Sequence, residues 1–288
     1  MDRKYAFVTL FAMAAVLAGC GGGQIGPKPL QPVTIKQAAP APDTATSPAA
    51  ATASTPGAPA PAAQSGPLPA VPASAKVFDK LQDTSDAWTS CSPCAGGANV
   101  TTNFWTAPFQ STPSQSGSSR EFFIGGPAWS NALWIKQLPP DYSSTHFLWD
   151  FWVYFDPTSA AQAWTAEYDL WQAIGGREFM IGSQCDFGDG YWDTFDSKNN
   201  RWITTSIPCK RFTPNLWHHI QWYVERTSDT QYRYNTLVVD NQAYTLNQTF
   251  EVNPINWTDS MGVQWQLDQN ANGAPLHEWI DNVKLSTW

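Results

Sequence analysis

The sharpest chemical feature is a run of six residues, Glu167-Tyr168-Asp169-Leu170-Trp171-Gln172. In a strand, alternation puts Glu167, Asp169 and Trp171 on one face. A β-bulge after Trp171 would bring Gln172 round to join them. Two carboxyls side by side can share acid and base duties, or they can accept hydrogen bonds from hydroxyl groups. Gln172 argues against the first use, because an amide cannot donate and recover a proton as a carboxylic acid does. Glu178 is the acid that could take its place. Binding is therefore the favoured chemistry. Aromatic rings answer apolar C–H faces, and carboxylates and amides answer hydroxyls. The expected glycan-binding set is Trp152, Tyr154, Glu167, Asp169, Trp171, Gln172, Gln264 and Gln266. No catalytic residue is assigned; were the chain an enzyme, Glu167 and Asp169 would be its reactive groups.

These side chains need strands to hold them, and the sequence supplies many short ones. In 145–155, Phe147, Trp149, Phe151, Val153 and Phe155 alternate with His146, Leu148, Asp150, Trp152 and Tyr154, which predicts a strand with one buried face. Residues 163–172 alternate again. Further strands are expected at 177–181, 191–195, 201–205, 216–226, 232–239, 242–246, 261–268 and 279–285. Asp240-Asn241 suits a two-residue turn with positive φ. No stretch sustains a helical period with caps. Many short strands at this spacing imply an all-β sandwich or barrel. If the strands carrying Trp152, Trp171 and Gln264 share one sheet, they form an acidic, Trp-lined, amide-rich face.

Three segments carry a resemblance. Leu216-Trp217-His218-His219-Ile220, the hairpin 235–242 around Asp240-Asn241, and Trp279-Ile280-Asp281-Asn282-Val283-Lys284-Leu285 are similar to the concanavalin A-like lectin/glucanase superfamily. Its laminin-G-like and carbohydrate-binding branches show a "W-H" strand, a "V-D-G/N" turn and a final "I-D-N-V" strand. The resemblance spans most of 76–288. It implies a two-sheet antiparallel jelly-roll β-sandwich whose concave sheet binds glycans. Within it, 167–172 resembles the E-x-D-x-x-E strand of family 16 glycoside hydrolases, with Gln172 where the acid/base Glu would stand. A retaining glycosidase needs two carboxyls about 5–5.5 Å apart. A hydrolase or polysaccharide lyase using Glu167 is thus the alternative reading, and a structural or adhesin-like domain is the third. Asp281 matches a position that holds structural calcium in some relatives, so it is the metal candidate; no other cofactor is expected.

Asp186, Asp189, Asp193 and Asp196 crowd one segment, but their spacing is not that of an EF-hand loop, and a solvated acidic loop is the favoured reading. His218 and His219 fall on opposite faces of a strand and cannot easily share an ion. Among the five cysteines, setting aside Cys20 leaves Cys91, Cys94, Cys185 and Cys209. Of three pairings, Cys91–Cys94 with Cys185–Cys209 is the simplest. A redox reading of Cys91-Ser92-Pro93-Cys94 lacks a βαβ context, and zinc lacks a second C-x-x-C pair.

The N-terminus has a charged start, an apolar run from Tyr5 to Leu17, and Leu17-Ala18-Gly19-Cys20, which resembles the lipobox of bacterial lipoproteins. The run is too short for a mature span. The expectation is a signal peptide over 1–19, lipidation of Cys20, and export to the outer membrane or cell surface. Residues 21–75 hold 12 Pro, 15 Ala and no aromatic residue. Such a segment builds no core and serves as an extended linker, reaching on the order of 170 Å. The folded domain is then 76–288, which contains all 16 Trp. The chain carries 16 Lys+Arg against 24 Asp+Glu, a net charge of −8, which argues against a nucleic-acid partner. The expected partner is a polysaccharide or other glycan, with membrane contact through the lipid alone.

Overall fold

The computed structural model describes residues 68–84, 88–92, 103–256 and 258–288. The signal peptide, Cys20, the linker as far as residue 67, and Cys94 lie outside them. Seventeen strands follow one another: β1 (Lys76–Phe78), β2 (Thr89–Cys91), β3 (Asn103–Gln110), β4 (Ser119–Gly125), β5 (Asn131–Leu138), β6 (His146–Phe155), β7 (Ala163–Ile174), β8 (Arg177–Ile181), β9 (Ser183–Asp186), β10 (Tyr191–Asp196), β11 (Arg201–Pro208), β12 (Trp217–Arg226), β13 (Gln231–Val239), β14 (Gln242–Glu251), β15 (Asn253–Pro254), β16 (Ser260–Gln269) and β17 (Leu276–Thr287). A single helical turn and a half, Pro157–Gln162, is capped by Asp156, whose carboxylate accepts from the Ser159 N–H.

The strands form two antiparallel sheets packed as a jelly-roll sandwich. The first runs β14-β13-β12-β6-β17-β4-β3, with β1 beside the end of β17. The second runs β11-β10-β9-β7-β16-β5-β2, with β8 against β7 and β15 against β8. The alternation read in β6 is the one observed: Phe147, Trp149, Phe151, Val153 and Phe155 are buried between the sheets. Tyr168 and Leu170 of β7, and Val263, Trp265 and Leu267 of β16, meet them from the other side. Trp265 sits at the centre, with ring centroids 4.8 Å from Phe151 and Tyr168 and 5.9 Å from Trp149 and Phe122. Burial at this scale, about 25 cal/mol per Å² of apolar surface, holds the two layers together.

The turn at Asp240-Asn241 has φ of 48° and 67°, as a two-residue hairpin requires. Cys185 of β9 is disulfide-bonded to Cys209, tying the second sheet to the chain that follows β11. Cys91 is also disulfide-bonded.

Candidate functional site

The eight expected binding residues do not share a surface. Trp152 and Tyr154 belong to the first sheet; Glu167, Asp169, Trp171, Gln264 and Gln266 belong to the second. The expectation of one common sheet is thereby corrected. Period-two alternation fixes which side chains share a strand face, not which strands are neighbours.

On the second sheet, β7 and β16 pair with Glu167 opposite Gln266 and Asp169 opposite Gln264. All four point away from the inter-sheet core, yet all are buried; Glu167 is 2% exposed. Asp169 accepts from the Gln264 amide at 2.6 Å and from the Ser183 N–H at 3.0 Å. Burial, and then the adjacent Asp169 charge, push the Glu167 carboxyl well up. Burial also pushes the neighbouring Asp169 up to about 6, against the lowering effect of its hydrogen bonds from Gln264 and Ser183. One oxygen each of Glu167 and Gln266 is buried without a partner. On the same face, Trp171 is 0% exposed and forms a small apolar cluster with Met180 and Phe195, against which Ile135 and Trp202 pack. Its indole lies over Gly262, where a Cβ would overlap the ring. Trp171 is therefore a packing residue rather than an open platform.

Gln172 is a second correction. The pairing of β7 with β16 runs without a bulge from Ala166 to Ala173, so Gln172 stays on the inter-sheet side. Its amide donates to the Asp141 carbonyl at 2.6 Å. Glu178, opposite Ala173, is buried and pushed up to about 7 by burial. It lies six residues along the strand from Glu167, roughly 20 Å away. The four histidines are all on the first sheet, in β6, β12 and β17. Neither Glu178 nor a histidine can complete an acid–base pair with Glu167.

Asp281 also departs from expectation. Its two oxygens accept from Gln82 Nε2, Ser114 Oγ, the N–H of Gln115, the N–H and Oγ of Ser116, and the Asn282 N–H. Burial raises its pKa, but these bonds outweigh it and hold the carboxyl below its usual range. Donors occupy the lone pairs a cation would need, so Asp281 clamps backbone instead. In the acidic segment, Asp186 accepts from the N–H groups of Gly188 and Asp189, Asp193 from Gln184, and Asp196 from Asn199. Asp186 and Asp196 serve their own turns, and Asp193 ties β10 to β9.

The outer face of the first sheet is different. Trp105 of β3, Phe123 of β4, His277 and Trp279 of β17, Tyr154 of β6 and Trp217 of β12 stand on five neighbouring strands. Trp105 and Phe123 stack at 4.9 Å, Phe123 and His277 lie 4.7 Å apart, and His277 stacks on Trp279 at 5.6 Å. Tyr154 continues the series, 5.6 Å from Trp279 and 5.4 Å from Trp217. Trp105 is 38% exposed and the others are half-buried. Beside them Trp152 and His219 stack at 4.4 Å and 3°.

Polar groups border these rings. Glu121 meets His277 Nδ1 at 2.6 Å. The Tyr154 hydroxyl donates to Asn215 at 3.0 Å. Asp150 accepts from His219 and Gln221 at 2.8 and 2.9 Å and pairs with Lys284 at 3.7 Å. Burial raises the Asp150 pKa, but these partners outweigh it and the net shift is down. His218, on the opposite face of β12 as expected, is held by Asp240 and the Thr213 carbonyl.

The sequence reading set Trp152 and Tyr154 on an outward strand face, where they lie, but did not place Trp105, Phe123, Trp217, His277 and Trp279 beside them. One signal was available. Trp217, His219, Gln221 and Tyr223 alternate with His218, Ile220, Trp222 and Val224, which marks Trp217 as outward.

No family model matches this chain, and no curated protein matches it. Solved structures do resemble it. One is a study of carbohydrate-binding modules from the β-sandwich superfamily, at 9% identity and TM-score 0.39 over 72% of this chain; the match spans 59% of that chain. Another is the family 11 carbohydrate-binding module from Clostridium thermocellum, in complex with a β-1,3-1,4-mixed-linked tetrasaccharide. It is 16% identical, with TM-score 0.35, covering 73% of this chain and 94% of that one. A third is the CBM2 module of the Lactobacillus casei BL23 phage J-1 evolved Dit, 10% identical with TM-score 0.40 over 74% and 96%. The likeness is one of β-sandwich architecture and does not extend to individual residues.

Proposed function

We propose that this chain is an exported lipoprotein that displays a non-catalytic glycan-binding sandwich, residues 76–288, on an extended linker anchored through Cys20. The observation that carries the binding reading is the ladder of half-exposed rings on the first sheet. Six rings side by side over four strand spacings cover roughly 19 Å. An aromatic face of this length, bordered by Glu121, Asp150, Lys284 and Asn215, offers what a polysaccharide chain needs: apolar surface for its C–H faces and polar groups for its hydroxyls. A patch of this kind left open to solvent signals a partner. The binding reading transfers the expected glycan contacts from Glu167, Asp169, Trp171, Gln172, Gln264 and Gln266 to this face, and keeps Trp152 and Tyr154. Absence of catalysis is supported by the burial of the Glu167 carboxyl, which has Gln266 rather than an acid opposite it on β16.

The test is a panel of insoluble and immobilised polysaccharides incubated with purified protein. Both retention and chain shortening are scored. Retention without shortening is expected, reduced at least tenfold in Trp217→Ala and Trp279→Ala. Shortening abolished by Glu167→Gln would establish the enzyme instead. Neither signal across the panel would leave the adhesin-like reading. The anchor is tested separately by palmitate labelling, which Cys20→Ser should abolish.

A further inference from the structure

At the far end of the sandwich, the space between the sheets opens as a depression lined by Tyr142, Ile174, Gly175, Arg177, Phe179, Arg226 and Asp229. Arg177 begins β8 of the second sheet and Arg226 ends β12 of the first. The two guanidiniums thus approach one opening from opposite layers. The Arg226 guanidinium lies 5.5 Å over the Phe179 ring, which fixes its plane. Among the described residues, neither arginine forms an ion pair with a carboxylate; Asp229 and Asp141 act on Arg226 only at longer range. Tyr142 is 58% exposed and sets a hydroxyl at the rim. In a domain with a large excess of carboxylates, two arginines without ion pairs thus face one depression.

We propose that this mouth is a binding site for a carboxylate carried on a small ring, such as a uronic acid unit. Guanidinium forks match a planar carboxylate by paired N–H···O bonds. Asp229 and, at longer range, Asp141 partly offset the two arginines, so the mouth suits a single negative charge better than a doubly charged phosphate. Ile174, only partly buried, offers the ring an apolar side, while Phe179 backs Arg226. Along β12, Arg226 is nine residues from Trp217, roughly 30 Å. The site is therefore separate from the aromatic ladder and stands whether or not that ladder binds glycans.

The experiment follows the arginine Nε–Hε resonances of isotope-labelled protein during titration with galacturonate, galactose, acetate and sulfate at low ionic strength. Saturable shifts of Arg177 and Arg226 with galacturonate are expected, weaker ones with acetate, and none with galactose. Arg177→Gln should weaken galacturonate binding about tenfold or more, as loss of a charge-assisted pair does. Arg226→Lys keeps the charge but loses the fork, and should weaken it as well; near-UV circular dichroism confirms that both variants fold. A response to galactose equal to that for galacturonate, sulfate binding as tightly, or Arg177→Gln binding unchanged would each overturn the assignment.

Discussion

The outer faces of the two sheets are built from the same alternating pattern and end in opposite states. On the second sheet, Glu167, Asp169, Gln264, Gln266 and Trp171 are all shut away from water. On the first, Trp105, Trp152, Tyr154, Trp217 and Trp279 keep part of their surface open. The richer chemistry sits on the closed face. Outward orientation is thus a different property from accessibility. The closed face spends its Asp169 carboxylate inward, on bonds from the Gln264 amide and the Ser183 N–H. The open face uses its carboxylates, Glu121 and Asp150, to steady imidazoles that lie against aromatic rings.

This contrast can be broken by truncating one tryptophan from each face. Trp171→Ala should cost about 3–5 kcal/mol in chemical denaturation, the range for emptying a packed aromatic site. Trp217→Ala should cost less than about 1 kcal/mol, while weakening glycan retention. Equal costs would mean that the two faces are equally packed. Next in size is Gly262→Ala. The new methyl would overlap the Trp171 indole and come 2.5 Å from the Lys136 carbonyl oxygen. Overpacking of this sort costs about 1–3 kcal/mol; the Trp171→Ala background should relieve the ring overlap and leave the approach to the Lys136 carbonyl.

Acidity sharpens the comparison further. Burial pushes Glu278, wholly enclosed against the Tyr168 hydroxyl, up to about 8. A carboxyl whose folded pKa exceeds its unfolded value binds more protons in the native state. Stability from this group is therefore lost as pH rises from about 4.5 towards 8, at about 1.4 kcal/mol per unit of displacement. Glu167, Asp169 and Glu178 shift the same way. Asp150 and Asp281 shift down, so their contribution is lost as pH falls below the usual carboxylate range. Melting temperature should peak at mildly acidic pH, and Glu278→Gln should flatten the alkaline fall while leaving the acid limb in place. A modest effect is expected for Asp150→Asn on the open face, about 1 kcal/mol and confined to neutral pH.

The strands were legible because period-two patterning is local. β6, β7, β12 and β16 fall within a residue or two of where the alternation puts them, and the Asp240-Asn241 turn follows from residues that tolerate positive φ. Sheet membership was not legible, since β6 and β7 are consecutive in the chain yet belong to different layers. Gln172 was misplaced because the reading supplied a bulge that the even register of β7 against β16 does not contain. The burial of Trp171 depends on the Phe195 and Met180 side chains brought over it from β10 and β8, and no local pattern reports that.

One small arrangement near the start of the domain bears on how it would carry load. A pull on the chain ahead of Lys76 enters through β1, whose three residues pair with Phe78 opposite Leu285 and Lys76 opposite Thr287. So short a strand peels one rung at a time. Behind it stands Gln82, which is fully buried. Its amide bonds Asp281 and the Val283 N–H of β17, and its carbonyl accepts from Arg120 of β4 at 3.0 Å. Those bonds would have to shear together. β1 is thus the fuse of the sandwich and Gln82 its rivet: tension is spent on three expendable rungs before it reaches the strands that carry the aromatic face.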